Sequence, residues 1–332
     1  RIEYWQLNKL HCVRDHLLPE RRQRYEQLLA QYGEPELADL NTRMSTSWGV
    51  QSPITLDILA AMSFEQVLDT VSSWQPDETD FRGPRIEGLV STFGQYVATQ
   101  SEALSRQSTL LVGRPAGYVR EFLDQMENAV KNGLDLDVLA VLSLCKWVVT
   151  RPRDERTMPR TERDVLVDQD WQWTRNQIAA FVEAVCEANA GDTRRFLVED
   201  YRAPLRDLLE SLHQDPGDSY LVHDFSQDDP RLRDYMDLAI NSPRGKALRA
   251  ALKYAHWVAD QIKETDAGRE VVPRGFDAMP EVRAILQWHV EAPNRTVPAM
   301  AIIGSQISLI LWIDKGWLEE RTDRIFDLQG ID

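Results

Sequence analysis

Residues 134–149 constrain the fold more than any other stretch of the chain. Leu136, Val138, Leu139, Val141, Leu142, Leu144, Cys145, Trp147 and Val148 leave almost no polar face when wound at 3.6 residues per turn. A helix that is apolar all round must be covered all round. The expectation is therefore a central helix in the first half of the chain. Its cover is expected to be helical too, because no strand alternation is sustained anywhere. Val271-Val272 and Tyr220-Leu221-Val222 are the best strand candidates, and both are too short.

Helical spacing recurs on either side. Leu17, Leu18, Tyr25, Leu28, Leu29 and Tyr32 stripe a helix over 15–32 that Gly33 and Pro35 end. Leu56, Leu59, Ala60, Val67, Leu68 and Val71 stripe the next unit. Helices follow near 84–99, 115–131 and 134–149, with Asn132-Gly133 as a C-cap signal between the last two. Further helices are expected near 171–190, 201–214, 230–240, 243–264, 280–291, 298–313 and 315–321. Ser242-Pro243 is a helix start, with Ser at the N-cap and Pro at the first helical position.

Trp147, Trp257, Trp288 and Trp312 fall near expected helix ends at unequal intervals. This excludes a strict tetratricopeptide or ankyrin period. The reading is an all-α fold, an α-α superhelix (a HEAT-like α-solenoid) of irregular helix pairs. Such arrays bind through their stacked surface. Residues 150–170 interrupt the rhythm with five arginines, Arg151 to Arg163, interleaved with carboxylates and two prolines. Long connections of this kind are functional or flexible. They divide the chain into an N-terminal helical-repeat half, 1–150, an Arg-rich connector, 151–170, and a C-terminal half, 171–332.

The composition, 43% hydrophobic and 27% charged, is that of a globular chain with ample core. The formal charge of −15 argues against nucleic acid and against anionic membrane surfaces, since phosphate neutralisation needs Lys and Arg. Cys12, Cys145 and Cys186 form no CxxC pair, which points to a reducing, cytoplasmic setting. The most apolar run, Val297 to Ile313, falls short of a membrane span. The chain begins without Met, as expected of a piece excised from a longer polypeptide or, equally, of a processed chain.

Several blocks carry a family resemblance. They are Ile86-Glu87-Gly88-Leu89-Val90, Leu142-Ser143-Leu144-Cys145-Lys146-Trp147-Val148, Trp173-Thr174-Arg175, Asn241-Ser242-Pro243-Arg244-Gly245-Lys246-Ala247-Leu248, Tyr254-Ala255-His256-Trp257-Val258 and Ala301-Ile302-Ile303-Gly304. Across roughly 50–318 the chain resembles the helical-repeat regions of large bacterial antiphage-defence proteins. Those proteins often carry a STAND-type or related P-loop NTPase domain upstream. The resemblance implies a sensor or scaffold, with the enzyme elsewhere. No GxxxxGK[ST] is present, and Arg244-Gly245-Lys246 lacks the spacing.

Candidate sites are few. Ser242, Arg244 and Lys246 sit at a helix N-terminus, where free N–H groups and two cations suit an anion or a partner. The competing reading has Ser242 as a cap, Gly245 permitting close helix packing, and Arg244 paired with a carboxylate. Cys12 and His16 share a helical face beside His11, but zinc needs two more ligands. Asp15-His16, His223-Asp224 and His256/Asp260 each place a carboxylate by an imidazole, as chance also does in so acidic a chain. The Arg-rich connector lacks aromatics for base stacking and reads as solvated. Trp171 and Trp173, two apart, cannot both face inward.

These readings converge on a non-catalytic helical scaffold or sensor module that binds a protein partner, with no catalytic residue, cofactor or metal assigned. The rivals are an all-α enzyme with carboxylates on a concave face and a nucleic-acid-binding helical array.

Overall fold

A computed structural model describes residues 2–34, 51–77, 80, 83–158, 168–188, 196–215, 236, 239–240, 242–265 and 275–326. Its regular elements are all helical, with no strand among the described residues. The expected helix at 230–240 and the His223-Asp224 pair lie almost wholly outside them. Contacts divide the chain into two compact units, 1–50 and 51–332.

In the first unit α1 (Ile2–Cys12) packs on α2 (Pro19–Tyr32) around Leu7, Tyr25 and Leu28. The helix expected over 15–32 starts later, because Pro19 takes its first position and Arg14–His16 form a 3₁₀ turn. His11 is buried, with Nδ1 2.8 Å from the Tyr25 hydroxyl. Arg14 donates to its Nε2 at 3.0 Å, so Nδ1 carries the proton. Both ring nitrogens are thereby occupied, while Cys12 and His16 face outward.

The second unit opens with α3 (Leu56–Ala60) and α4 (Phe64–Ser73). The apolar stripe over both is broken because Ser63 and Gln66 form a reciprocal capping box that starts α4 afresh. There follow α5 (Ile86–Thr99), α6 (Ser101–Ser105), α7 (Ala116–Lys131), α8 (Val138–Val149), α9 (Gln172–Glu187) and α10 (Val198–Leu212). The long α11 (Pro243–Thr265), α12 (Pro280–Val290), α13 (Val297–Ser305), α14 (Ile307–Ile313), α15 (Lys315–Glu319) and α16 (Thr322–Phe326) complete the series. After α7, the N–H groups of Gly133 and Leu134 return to the carbonyls of Val130 and Ala129, both at 3.0 Å. Gly133 supplies the positive φ, 79°, that this Schellman ending needs.

Packing alternates along the described helices. One row runs α3, α5, α7, α9, α11, α13, each against the next; a second runs α6, α8, α10, α12. The pairs α6–α7, α8–α9, α10–α11 and α11–α12 tie the rows together. The α9–α11 contact is the most extensive. Both helices bury small residues: Ala179 and Ala184 on α9, and Ala247, Ala250, Ala251 and Ala255 on α11. One core runs from Leu59 to Ile325.

The apolar helix α8 is not enclosed. It belongs to the second row, where α6, α9 and α10 cover it. Leu139, 46% exposed, continues with Ser143 and Lys146 along an open strip. The more deeply buried helix is α9, whose buried residues include Arg175, Ile178, Phe181, Val182 and Val185, although Trp173 and Glu187 are exposed.

The described part of the Arg-rich connector is pinned to the helix starts around it. Trp171 donates its backbone N–H to Arg153 at 3.1 Å, and Thr157 donates its own to Gln169 at 2.9 Å. The Thr157 hydroxyl accepts the N–H of Ala116, and the Arg151 guanidinium lies 5.4 Å from the Trp147 ring centre. Across this segment α7 packs on α9, and α8 on α10, while the division into compact units falls between Val50 and Gln51. Trp171 is buried and Trp173 is 48% exposed, so the pair splits between core and surface.

Candidate functional site

The first turn of α11 sends its three polar side chains to three places. Ser242 turns back on the chain. Its hydroxyl donates to the Ala239 carbonyl and accepts the Gly245 N–H, both at 3.0 Å. It therefore occupies an N–H that an anion would need. Gly245 lies so close to the Ala239 carbonyl that a Cβ would collide with it. The cap and the tight approach are one feature: Ala239 accepts from Ser242 and leaves no room at Gly245.

Arg244 turns toward α10 and α12. Its Nε donates to the Asp215 carbonyl at 3.3 Å, and its guanidinium sits 5.1 Å from the Trp288 ring centre. Trp288 stands edge-on to His213, with ring centres 5.2 Å apart, and His289 is 5.7 Å from His213. His289 is fully buried, and neither of its ring nitrogens has a hydrogen-bond partner. Burial, reinforced by the neighbouring histidine and Arg244, pulls His289 down to about 3. Burial and Arg244 pull His213 to about 4. Both imidazoles are neutral near pH 7.

Lys246 points elsewhere again, into a charged cleft of about 220 Å³ with Glu127, Lys131, Glu183, Glu187 and Arg249 on its walls. The walls come from α7, α9 and α11, three neighbours in one row, with Ile240 beside them. Glu127 is held by Lys131 and Gln177. Glu183 accepts from Arg249 at 2.8 Å, and Glu187 pairs with Lys253 at 2.6 Å. Burial raises Glu183 above its ordinary value and lowers Lys246 below its own.

Two buried polar clusters gave no sequence signal. Arg175 on α9 closes on Asp215, beyond α10, and its other nitrogen donates to the carbonyls of Val149 at 3.1 Å and Arg151 at 2.8 Å. One guanidinium so ties the ends of α8 and α10 to α9. Glu281 on α12 accepts from Tyr254 at 2.7 Å and from Arg202 at 2.9 Å. An arginine within an amphipathic helix looks the same in sequence whether it faces solvent or a ring of carbonyls.

Among the described residues the most perturbed carboxylate is Asp168, raised by burial to about 6. Its Oδ2 accepts the backbone N–H of Thr174 at 2.8 Å and its hydroxyl at 2.7 Å. That bond anchors the first turn of α9. His256 is exposed on α11, its ring 5.5 Å from that of Trp312. Among the described residues no group of three or more His, Cys, Asp and Glu is arranged to hold a metal ion. No described helix is long and apolar enough to cross a membrane. No protein-family model matches the chain, and no curated protein or solved structure matches it either.

Proposed function

We propose that this chain is a non-catalytic scaffold or sensor module, an α-solenoid of irregular helix pairs that presents a row of helices to a protein partner. The observation that carries this reading is the alternation of helices between two rows. Solenoids of helix pairs stack in this way, and their stacked surface is where partners sit. The internal chemistry supports it. Asp168 anchors a helix start, Arg175 pairs with Asp215 and Glu281 with Arg202, as structural groups do. The resemblance to helical-repeat regions of bacterial defence proteins suggests the context: one part of a larger cytoplasmic protein whose enzyme lies elsewhere.

The test is isolation from the native cell followed by cross-link mapping and an activity screen. The reading expects one partner at fixed stoichiometry, cross-linked through Lys131, Lys246 or Lys253, and no turnover by the purified chain. Substrate turnover that Asp168→Asn abolishes would sink it.

A further inference from the structure

We infer that His213 and His289 form a proton-operated latch, which holds α12 against α10 at neutral pH and releases it in mild acid while α3 to α8 stay packed. His289 is fully buried with both ring nitrogens unbonded, and the Nδ1 of His213 is buried and unbonded as well. Uncharged, the two rings serve as apolar plates, 5.7 Å apart between centres, with Trp288 edge-on to His213. A proton turns either ring into a buried cation whose N–H donors meet no acceptor. At His213 the Nε2 accepts from the Gln214 side-chain amide at 3.3 Å, so a proton there sets donor against donor.

Among the described residues the charges acting on His289 are His213 and Arg244, and both oppose a proton. Asp215, just beyond α10, closes its carboxylate on Arg175 and meets Arg244 through its backbone carbonyl. The other described charges facing α12 are engaged elsewhere along it. Arg202 of α10 and Tyr254 of α11 hold Glu281 in its first turn, at the opposite end from His289. Asp277 holds Arg283, Arg321 holds Gln287, and Arg324 holds Glu291. The facing helix α13 carries no titratable side chain. Among the described helices α12 is the last of the second row, and it packs on α10, α11, α13 and the turn at 275–278. It therefore leaves without parting α3 to α8. Its release bares Val282, Ile285 and Leu286, an apolar face that neutral pH keeps covered.

The test is hydrogen exchange of the full chain, read helix by helix by mass spectrometry at pH 7, 6 and 5. Each rate is divided by that of the unstructured chain at the same pH. The folded rings titrate at about 4 and about 3 against an ordinary 6.5. An opening that frees both is therefore favoured by roughly 20-fold per histidine between pH 7 and pH 5. The expected result is a loss of protection in α12 of about tenfold by pH 6 and more than about 100-fold by pH 5, while α5 holds. In His289→Phe the loss at pH 5 shrinks by about 20-fold. Equal losses in α5 and α12 mean acid unfolding of the whole unit and overturn the latch. So does a loss in α12 that begins only below pH 5, which belongs to carboxylates, or one that His289→Phe leaves unchanged. If His289→Phe fails to fold, the contrast between α12 and α5 and the pH of onset in the wild-type protein still decide.

Discussion

Arg175 and Asp215 form an ion pair in which each side chain is less than a tenth exposed. The pair is the junction of three helices, because the same guanidinium holds carbonyls at the end of α8. Removing one partner of a buried pair strands the other charge and costs about 3–5 kcal/mol. Arg175→Met should lower stability by that order and Arg175→Lys by nearly as much, since an ammonium lacks the fork that reaches both sides. Urea denaturation of the purified variants measures it. A loss below about 1 kcal/mol for Arg175→Met would refute the junction.

His213 and His289 make stability fall in mild acid. Their folded values, about 4 and about 3, lie below the ordinary 6.5. The unfolded chain therefore takes up protons first. The contribution is fully present above pH 6.5 and is lost as pH falls from there through the folded values. The slope is about 1.4 kcal/mol per pH unit for each histidine in that window. Asp168 has the opposite sign. Raised to about 6, it favours the folded state below its unfolded value and loses that contribution as pH rises through 6. Unfolding midpoints at pH 7, 6 and 5 for the wild type and His289→Phe should diverge, with the variant flatter. Parallel lines would show that His289 titrates normally.

Two glycines separate close approach from mere permissiveness. Gly245→Ala drives a methyl group into the Ala239 carbonyl, and overpacking of this kind costs about 1–3 kcal/mol. Gly304, inside α13, has nothing within 4 Å of its would-be Cβ. Gly304→Ala should stabilise by about 0.5–1 kcal/mol through helix propensity alone. Thermal melts of the two variants should move in opposite directions.

The thiols report on the packing directly. Cys12 is exposed, while Cys145 and Cys186 are buried and burial raises both far above an ordinary thiol. A thiol reagent at pH 8 should modify one cysteine quickly in the native protein and the other two only on unfolding. Rapid modification of two or three would contradict the burial of Cys145 and Cys186.

Much of the helical order was legible in the chain. The boundaries of α5, α7 and α11 follow from apolar spacing, from Asn132-Gly133 and from Ser242-Pro243, all local signals. The misplacement of α8 has a physical source. Periodicity counts apolar side chains but not neighbours, and Leu139 stands in solvent although its position reads as core. The run from 298 to 313 hides a break at Gln306 for the same reason, since both pieces are apolar. The candidate site was legible only as a place. Ser242, Arg244 and Lys246 share one turn, yet their directions depend on Ala239, Trp288 and Glu127, which lie 3, 44 and 119 positions from them.

The alternation of rows also sets how the second unit comes apart. Its extensive pairings among described helices join elements no more than three places apart, so no contact of that kind fastens the first helices to the last. Opening at one end removes neighbours from only a helix or two and leaves the rest intact. Amide protection should therefore be graded rather than uniform. It should peak at α9 and α11, whose mutual contact is the most extensive, and decline toward both ends. A partner gripping that middle would fasten the most durable part of the protein and leave the ends free to breathe.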